Sequence, residues 1–153
     1  MKKILVFLFL FLFANILPTQ AKATNEQVKA FFNAYVQAAN NFENVFDKYY
    51  VSNPVIIRVV EKKDGTTQSV RVPLKTYLEE GAKGRKIGKM IGYKNNYINI
   101  KITPYGNDFK VSAIRVPSPG GKYPAHFIIG EDSSGKLKIK EESMNTPRQE
   151  FLK

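Results

Sequence analysis

The chain has 153 residues, with 24 Lys+Arg against 13 Asp+Glu, a formal charge of +11 and no cysteine. The missing thiol excludes disulfides, thiolate metal centres, cysteine nucleophiles and a lipid anchored to cysteine behind a leader. The cation surplus favours polyanionic partners such as anionic lipid headgroups, lipopolysaccharide or acidic glycans.

Residues 1–23 have the layout of a cleavable secretory signal. Lys2 and Lys3 precede an apolar run from Ile4 to Ala14, then Pro18 and the small-residue sites ending at Ala21 or Ala23. The run is shorter than the roughly 20 residues a membrane span needs. The mature chain is therefore expected to be exported from a bacterium, periplasmic or secreted, with no transmembrane span. Export makes nucleic acid an awkward partner. Removing Lys2 and Lys3 leaves the charge strongly positive. Residues 24–143 then form one domain, and 144–153 a polar C-terminal tail.

Thr24 and Gln27 have the spacing of a capping box, with the threonine at the N-cap. Apolar residues recur at Val28, Phe31, Phe32, Tyr35, Ala39, Phe42, Phe46 and Tyr49, one face of a long helix with a break near Asn40–Asn41 or Asn44. Ser52-Asn53-Pro54 ends it. Val55–Val60 is β-branched and reads as a strand, Asp64-Gly65 as a two-residue hairpin turn, and Gln68–Val72 as the returning strand. Pro73 opens a short helix, Leu74–Glu80, closed by Gly81. Four further strands follow, around Ile98–Ile102, Phe109–Val116, Tyr123–Gly130 and Leu137–Glu142, an antiparallel meander joined by short turns.

The two-residue turn at Asp64-Gly65 sets Arg58 opposite Arg71, a like-charge pair that an anion would relieve. Their face carries Ile56 and Val60, while Ile57, Val59, Val70 and Val72 share the other. Lys83, Arg85, Lys86 and Lys89, with Lys94, lie among Gly84, Gly88 and Gly92 in a segment expected to be a mobile basic loop anchored by Ile87, Met90 and Ile91. It lacks the strand–turn–helix context and the Lys-Ser/Thr ending of a phosphate-binding loop. A two-residue turn at Gly106-Asn107 and strand alternation place Arg115 on one face with Ile98, Val111 and Ala113. His126 joins that face in one register; in the other, which buries more apolar surface, Phe127 and Ile129 turn inward and His126 outward. Arg58, Arg71, Arg115, Lys83, Arg85, Lys86 and Lys89 are thus the candidate anion-binding residues. Asp64, Asp108 and Asp132 read as turn residues, leaving Asp47 and His126 as the catalytic candidates. No metal or cofactor set is evident.

The order long helix, β-hairpin, short helix, four-stranded meander resembles the nuclear-transport-factor-two-like superfamily, also called SnoaL-like or ketosteroid-isomerase-like. Phe46-Asp-Lys-Tyr-Tyr50, Val72-Pro-Leu-Lys-Thr-Tyr-Leu78 and Gly135–Glu142 carry the likeness. It implies an α+β cone, with the helices packed in a strongly curved, six-stranded antiparallel sheet enclosing a pocket. It also implies a homodimer through the outer sheet face. Enzymes of the superfamily use carboxylates or an Asp–His pair inside the cone, and no such pair stands out here. The expected function is a non-catalytic binding or scaffold domain contacting an anionic ligand, a partner or the envelope surface. The alternatives are an isomerase or dehydratase working in the pocket, and an assembly component of an envelope secretion machine.

Overall fold

The computed structural model describes residues 22–152. The leader lies outside the described residues except for Lys22 and Ala23. Three α-helices and six strands follow in the order α1 (Asn25–Asn40), α2 (Phe46–Tyr49), β1 (Tyr50–Glu61), β2 (Thr67–Arg71), α3 (Leu74–Ile91), β3 (Asn95–Tyr105), β4 (Asp108–Pro117), β5 (Tyr123–Glu131) and β6 (Leu137–Thr146). The strands form one sheet in the order β2-β1-β6-β5-β4-β3. The hairpin and the meander are antiparallel throughout; β1 and β6, where the two units meet, run parallel. That junction departs from the all-antiparallel expectation. The segment containing α3 carries the chain from the β2 edge to the opposite edge, and the meander then returns β6 alongside β1.

The capping box forms: the Gln27 backbone N–H donates to the Thr24 hydroxyl at 3.3 Å and the Thr24 N–H to Gln27 Oε1 at 2.8 Å. The helix breaks where the asparagines suggest. Asn41 caps α1, and Phe42 takes a left-handed φ of 60° that no helix can accommodate. Val28, Phe32, Tyr35 and Ala38 on the inner face of α1 bury against the sheet's Val111, Ala125, Phe127, Ile129 and Ile139. Phe32 meets Phe127 edge-on at 5.0 Å and Tyr97 at 5.3 Å. These contacts use the edge-to-face geometry that aromatic quadrupoles prefer.

Two segments differ from expectation. Residues 83–91 are not a loop: α3 runs on through Gly81, Gly84 and Gly88 to a left-handed cap at Gly92. Interior glycines cost a helix about 1 kcal/mol each, but a close approach depends on one of them. A Cβ at Gly88 would sit 3.0 Å from Phe42 Cε1 and 3.5 Å from Tyr93 Cβ. The C-terminal segment is not a free tail either. Residues 144–146 complete β6, and a 3₁₀ turn over Gln149–Leu152 folds back, with Arg148 reaching Glu80 on α3 at 3.2 Å.

The helix thus contains one glycine that packing needs and one that it does not. No atom lies within 4 Å of a Cβ built on Gly84. Gly84→Ala should raise stability by about 1 kcal/mol, while Gly88→Ala, which must displace Phe42, should lower it by about 1 kcal/mol or more. Urea unfolding of the two variants checks the opposite signs.

Candidate functional site

Glu142 is only 1% exposed, on the inner sheet face between α1 and α3. Its Oε1 accepts a 2.7 Å ion pair from Arg58 Nη2. Its Oε2 accepts from Tyr50, from Tyr77 at 3.3 Å and from Tyr35 at 3.5 Å. The three hydroxyls also bridge one another, with Tyr50 Oη 3.0 Å from both Tyr35 Oη and Tyr77 Oη. Both carboxylate oxygens are therefore occupied, and residues of three other elements, α1, β1 and α3, converge on one side chain of β6. Burial alone would depress the Arg58 guanidinium, yet the adjacent carboxylate leaves it raised. Burial, reinforced by the Glu142 charge, pushes Tyr35, Tyr50, Tyr77 and Tyr97 well above the ordinary phenol range.

Beside this cluster lies a cleft of two adjoining cavities, about 190 and 250 Å³, which share Arg58, Tyr77, Arg115 and Met144. Arg115 lies between them. One Nη donates to the Tyr93 hydroxyl at 3.2 Å and to Asn95 Oδ1 at 3.3 Å, and the other to the Asn145 carbonyl at 3.3 Å. The guanidinium carbon sits 5.2 Å from the Tyr123 ring centre. Its Nε is buried with no hydrogen-bond partner, and no carboxylate among the described residues pairs with it. The other cleft arginines are matched, Arg58 by Glu142 and Arg148 by Glu80 and Glu150. Arg115 thus leaves the cleft with one uncompensated positive charge.

The candidate residues read from the sequence divide sharply. Arg58 and Arg115 both enter the cleft. Arg58 does not face Arg71: it pairs with Val70, and Arg71 lies exposed opposite Ile57. The cause is the turn. Asp64 accepts from the Thr66 N–H and hydroxyl, Gly65 takes φ of 81°, and Lys62 bonds Thr66, making a three-residue loop instead of two. The one-residue shift accompanies a reversal of faces, so Ile56, Arg58 and Val60 point inward. Arg85 folds against the inner side of α3, lining a cavity with Tyr77 and Gly81, while Lys83, Lys86 and Lys89 are exposed outside the cleft. His126 pairs with Ser112, not Arg115, and hydrogen-bonds its hydroxyl at 3.1 Å on the outer sheet face. Partial burial and Lys110 hold its imidazole below the usual value. Asp47 is exposed. Neither catalytic candidate reaches the cleft. Glu142 and the tyrosines around it are the residues that sequence reading missed. Among the described residues no cluster of His, Asp and Glu could hold a metal.

The tyrosine shifts have a measurable consequence. Neutral in the fold but ionisable near pH 10 once unfolded, each phenol supports the native state fully below pH 10. That support is lost as pH rises further, by about 1.4 kcal/mol per pH unit for each group. Of the eight tyrosines, Tyr35, Tyr50, Tyr77 and Tyr97 should ionise only as the protein unfolds. Absorbance titration at alkaline pH, run beside circular dichroism, checks that the two transitions coincide.

No protein-family model matches the chain, and no curated protein matches it. Solved structures do match. An NTF2-like protein from Cytophaga hutchinsonii superposes with a TM-score of 0.57 at 11% identity, over 81% of this chain and 98% of that one. An NTF2-like protein with a cystatin-like fold from Novosphingobium aromaticivorans gives 0.56 at 10%, over 84% and 88%. The CaMKII hub of S. rosetta gives 0.55 at 12%, over 81% and 98%. At such identities the likeness concerns architecture, and the chain has the NTF2-like fold.

Proposed function

We propose that this chain is a small exported binding domain whose cleft takes a monoanion with an apolar body, its carboxylate or phosphate seated on Arg115. The observation that carries the reading is the buried Arg115 Nε, an N–H donor without an acceptor beside a cation without a counter-ion. Buried polar groups in native folds are nearly always paired, so such a donor calls for a ligand. A planar guanidinium fork suits a two-oxygen acceptor. Val72, Tyr77, Met144 and Phe151 supply apolar wall beside it.

Binding fits the site better than catalysis. Two carboxylates line the cleft and both are engaged: Arg58 and three phenols occupy the two oxygens of Glu142, and Arg148 and Lys83 those of Glu80. A general base needs a free lone pair within reach of the proton it takes. The export half of the reading rests on the leader pattern of residues 1–23, and the first described residues bear only on where that leader would be cut. Ala23 packs on the core and donates its N–H to Glu131 at 3.0 Å, while the Lys22 ammonium reaches the Gly106 carbonyl at 3.2 Å. Both contacts favour cleavage after Ala21 over cleavage after Ala23.

Calorimetric titration with benzoate, benzyl alcohol and inorganic phosphate tests the cleft. Benzoate or phosphate should bind and the neutral alcohol should not. Arg115→Met should weaken binding by about tenfold to a hundredfold, the worth of a charge-assisted hydrogen bond. Arg115→Lys, which keeps the charge but loses the fork, should fall between. Equal affinity for the alcohol, or unchanged anion affinity in a folded Arg115→Met protein, would sink the proposal.

A further inference from the structure

The outward face of α3 sets exposed apolar side chains among cations. Ile87, Met90 and Ile91 are 57%, 79% and 66% exposed. Their spacings of three and four residues make them neighbours on one helix face. Lys83 and Lys86 stand one turn before Ile87 and Met90, and Lys89 adjoins Met90, all three exposed. Lys86 and Lys89 have no ion-pair partner among the described residues, while Lys83 has Glu80 at 3.5 Å. From residue 83 to residue 94 there is no acidic residue; the nearest, Glu79 and Glu80, come before the basic stretch.

We infer that this face docks on an anionic lipid bilayer, the three apolar side chains entering the headgroup boundary while the lysines meet lipid phosphates. An interfacial helix needs an apolar patch rimmed by flexible cations, whose methylene stems bury while their ammonium groups stay wet. Charge selects among occupants. A second copy of this face would bring two sets of unpaired lysines together, so self-association is opposed. A nucleic acid would satisfy the lysines but gain little from Ile87, Met90 and Ile91, which offer no ring on which a base could stack. A bilayer uses both halves of the pattern. None of these six residues lines the cleft, so this inference stands or falls independently of the ligand proposed there. Gly88 fits the same arrangement: packed on Phe42 and Tyr93, it draws the helix close to the body and leaves the opposite side free.

The absence of cysteine permits a direct test. Met90→Cys and, as control, Ser133→Cys on an exposed distant turn each carry an environment-sensitive fluorophore. Both are prepared as the secreted chain with identical N-termini, so any contribution of the leader is common to them. With vesicles of phosphatidylglycerol and phosphatidylcholine, the probe at residue 90 should shift to the blue and brighten. The probe at residue 133 should not, and phosphatidylcholine alone should give no change. Substituting Lys83, Lys86 and Lys89 with Gln should weaken vesicle binding by about a hundredfold, near fivefold for each lysine. High salt should act in the same direction. Ile87→Gln with Ile91→Gln, which keeps helix propensity, should cost about tenfold. The inference is overturned by any of three results. They are no change at residue 90, equal change at both probes, or binding indifferent to the two apolar substitutions. Binding to double-stranded DNA as tight as to vesicles, and equally indifferent to the apolar pair, would also overturn it in favour of a nucleic-acid surface.

Discussion

One buried carboxylate organises the interior. Glu142 on β6 is reached by Tyr35 from α1, by Tyr50 at the junction of α2 and β1, by Arg58 further along β1, and by Tyr77 from α3. Burying an ion pair forfeits the hydration of both charges, and removing one partner of such a pair costs about 3–5 kcal/mol. The pair is tolerable here because the carboxylate's remaining acceptor capacity is filled by hydroxyls whose rings are themselves core. The same knot explains how α3 is held. That helix contains three glycines and buries little of its own surface, so Tyr77 and the seat of Gly88 on Phe42 are its main attachments.

What the sequence showed of this interior, and what it hid, depends on counting residues along strands. The capping box at Thr24, the helix break near Asn41 and the Gly106-Asn107 turn all rest on local chemistry and formed where their residues stand. So did the inward direction of Arg115, because β4 is regular and alternation carries from Val111 through Ala113; Ile98 instead pairs with Ile114 on the outer face, beyond an irregularity in β3. Glu142 was hidden by an irregularity. Ile128 pairs with Glu141 but Ile129 with Ile139, so the ladder skips Lys140. Simple alternation from buried Ile139 would put Glu141 inside and Glu142 in water; the bulge exchanges them. A bulge leaves no composition signature, and a lysine-glutamate run reads as a solvated strand. The Arg58 error is of the same type, one residue gained in a turn where Asp64 and Gly65 are compatible with either loop length. Calling 83–91 a loop erred differently, by weighing glycine propensity without the close approach that Gly88 permits.

Cation surplus, the plainest property of the composition, takes on structure once the partners are counted. Inside, two of the three cleft arginines have carboxylates and the third does not. Outside, Lys86 and Lys89 of α3 have no ion-pair partner among the described residues, while Lys83 has Glu80. Charges a fold needs for itself come in pairs, since a buried cation without a partner is costly and an exposed one contributes little. Unpaired cations therefore point to what the fold does not supply for itself. Arg115 is partly enclosed and forked, suited to a single small acceptor. The lysines of α3 are spread along a helix beside apolar side chains, suited to a surface of many weak acceptors.

The two features lie on opposite sides of one helix, and that placement has a physical cause. Tyr77 and Gly81 on the inner side of α3 line the cleft. Ile87, Met90 and Ile91 lie outside, near its C-terminal end. The turns between them are short of buried side chains, so α3 is fixed firmly at Tyr77 and at Gly88 and only lightly elsewhere, the exposed Arg148–Glu80 pair adding little. Local stability follows buried contacts, and elements that move on binding are drawn from those with few. A force applied to the exposed end of α3 would therefore act on the wall of the cleft through Tyr77, whose hydroxyl is tied to Glu142 and hence to Arg58. The sheet side of the cleft, anchored by β4 and β6, would stay fixed. Among the described residues, α3 thus carries the exposed apolar and basic face and, through Tyr77 and Gly81, also lines the cleft.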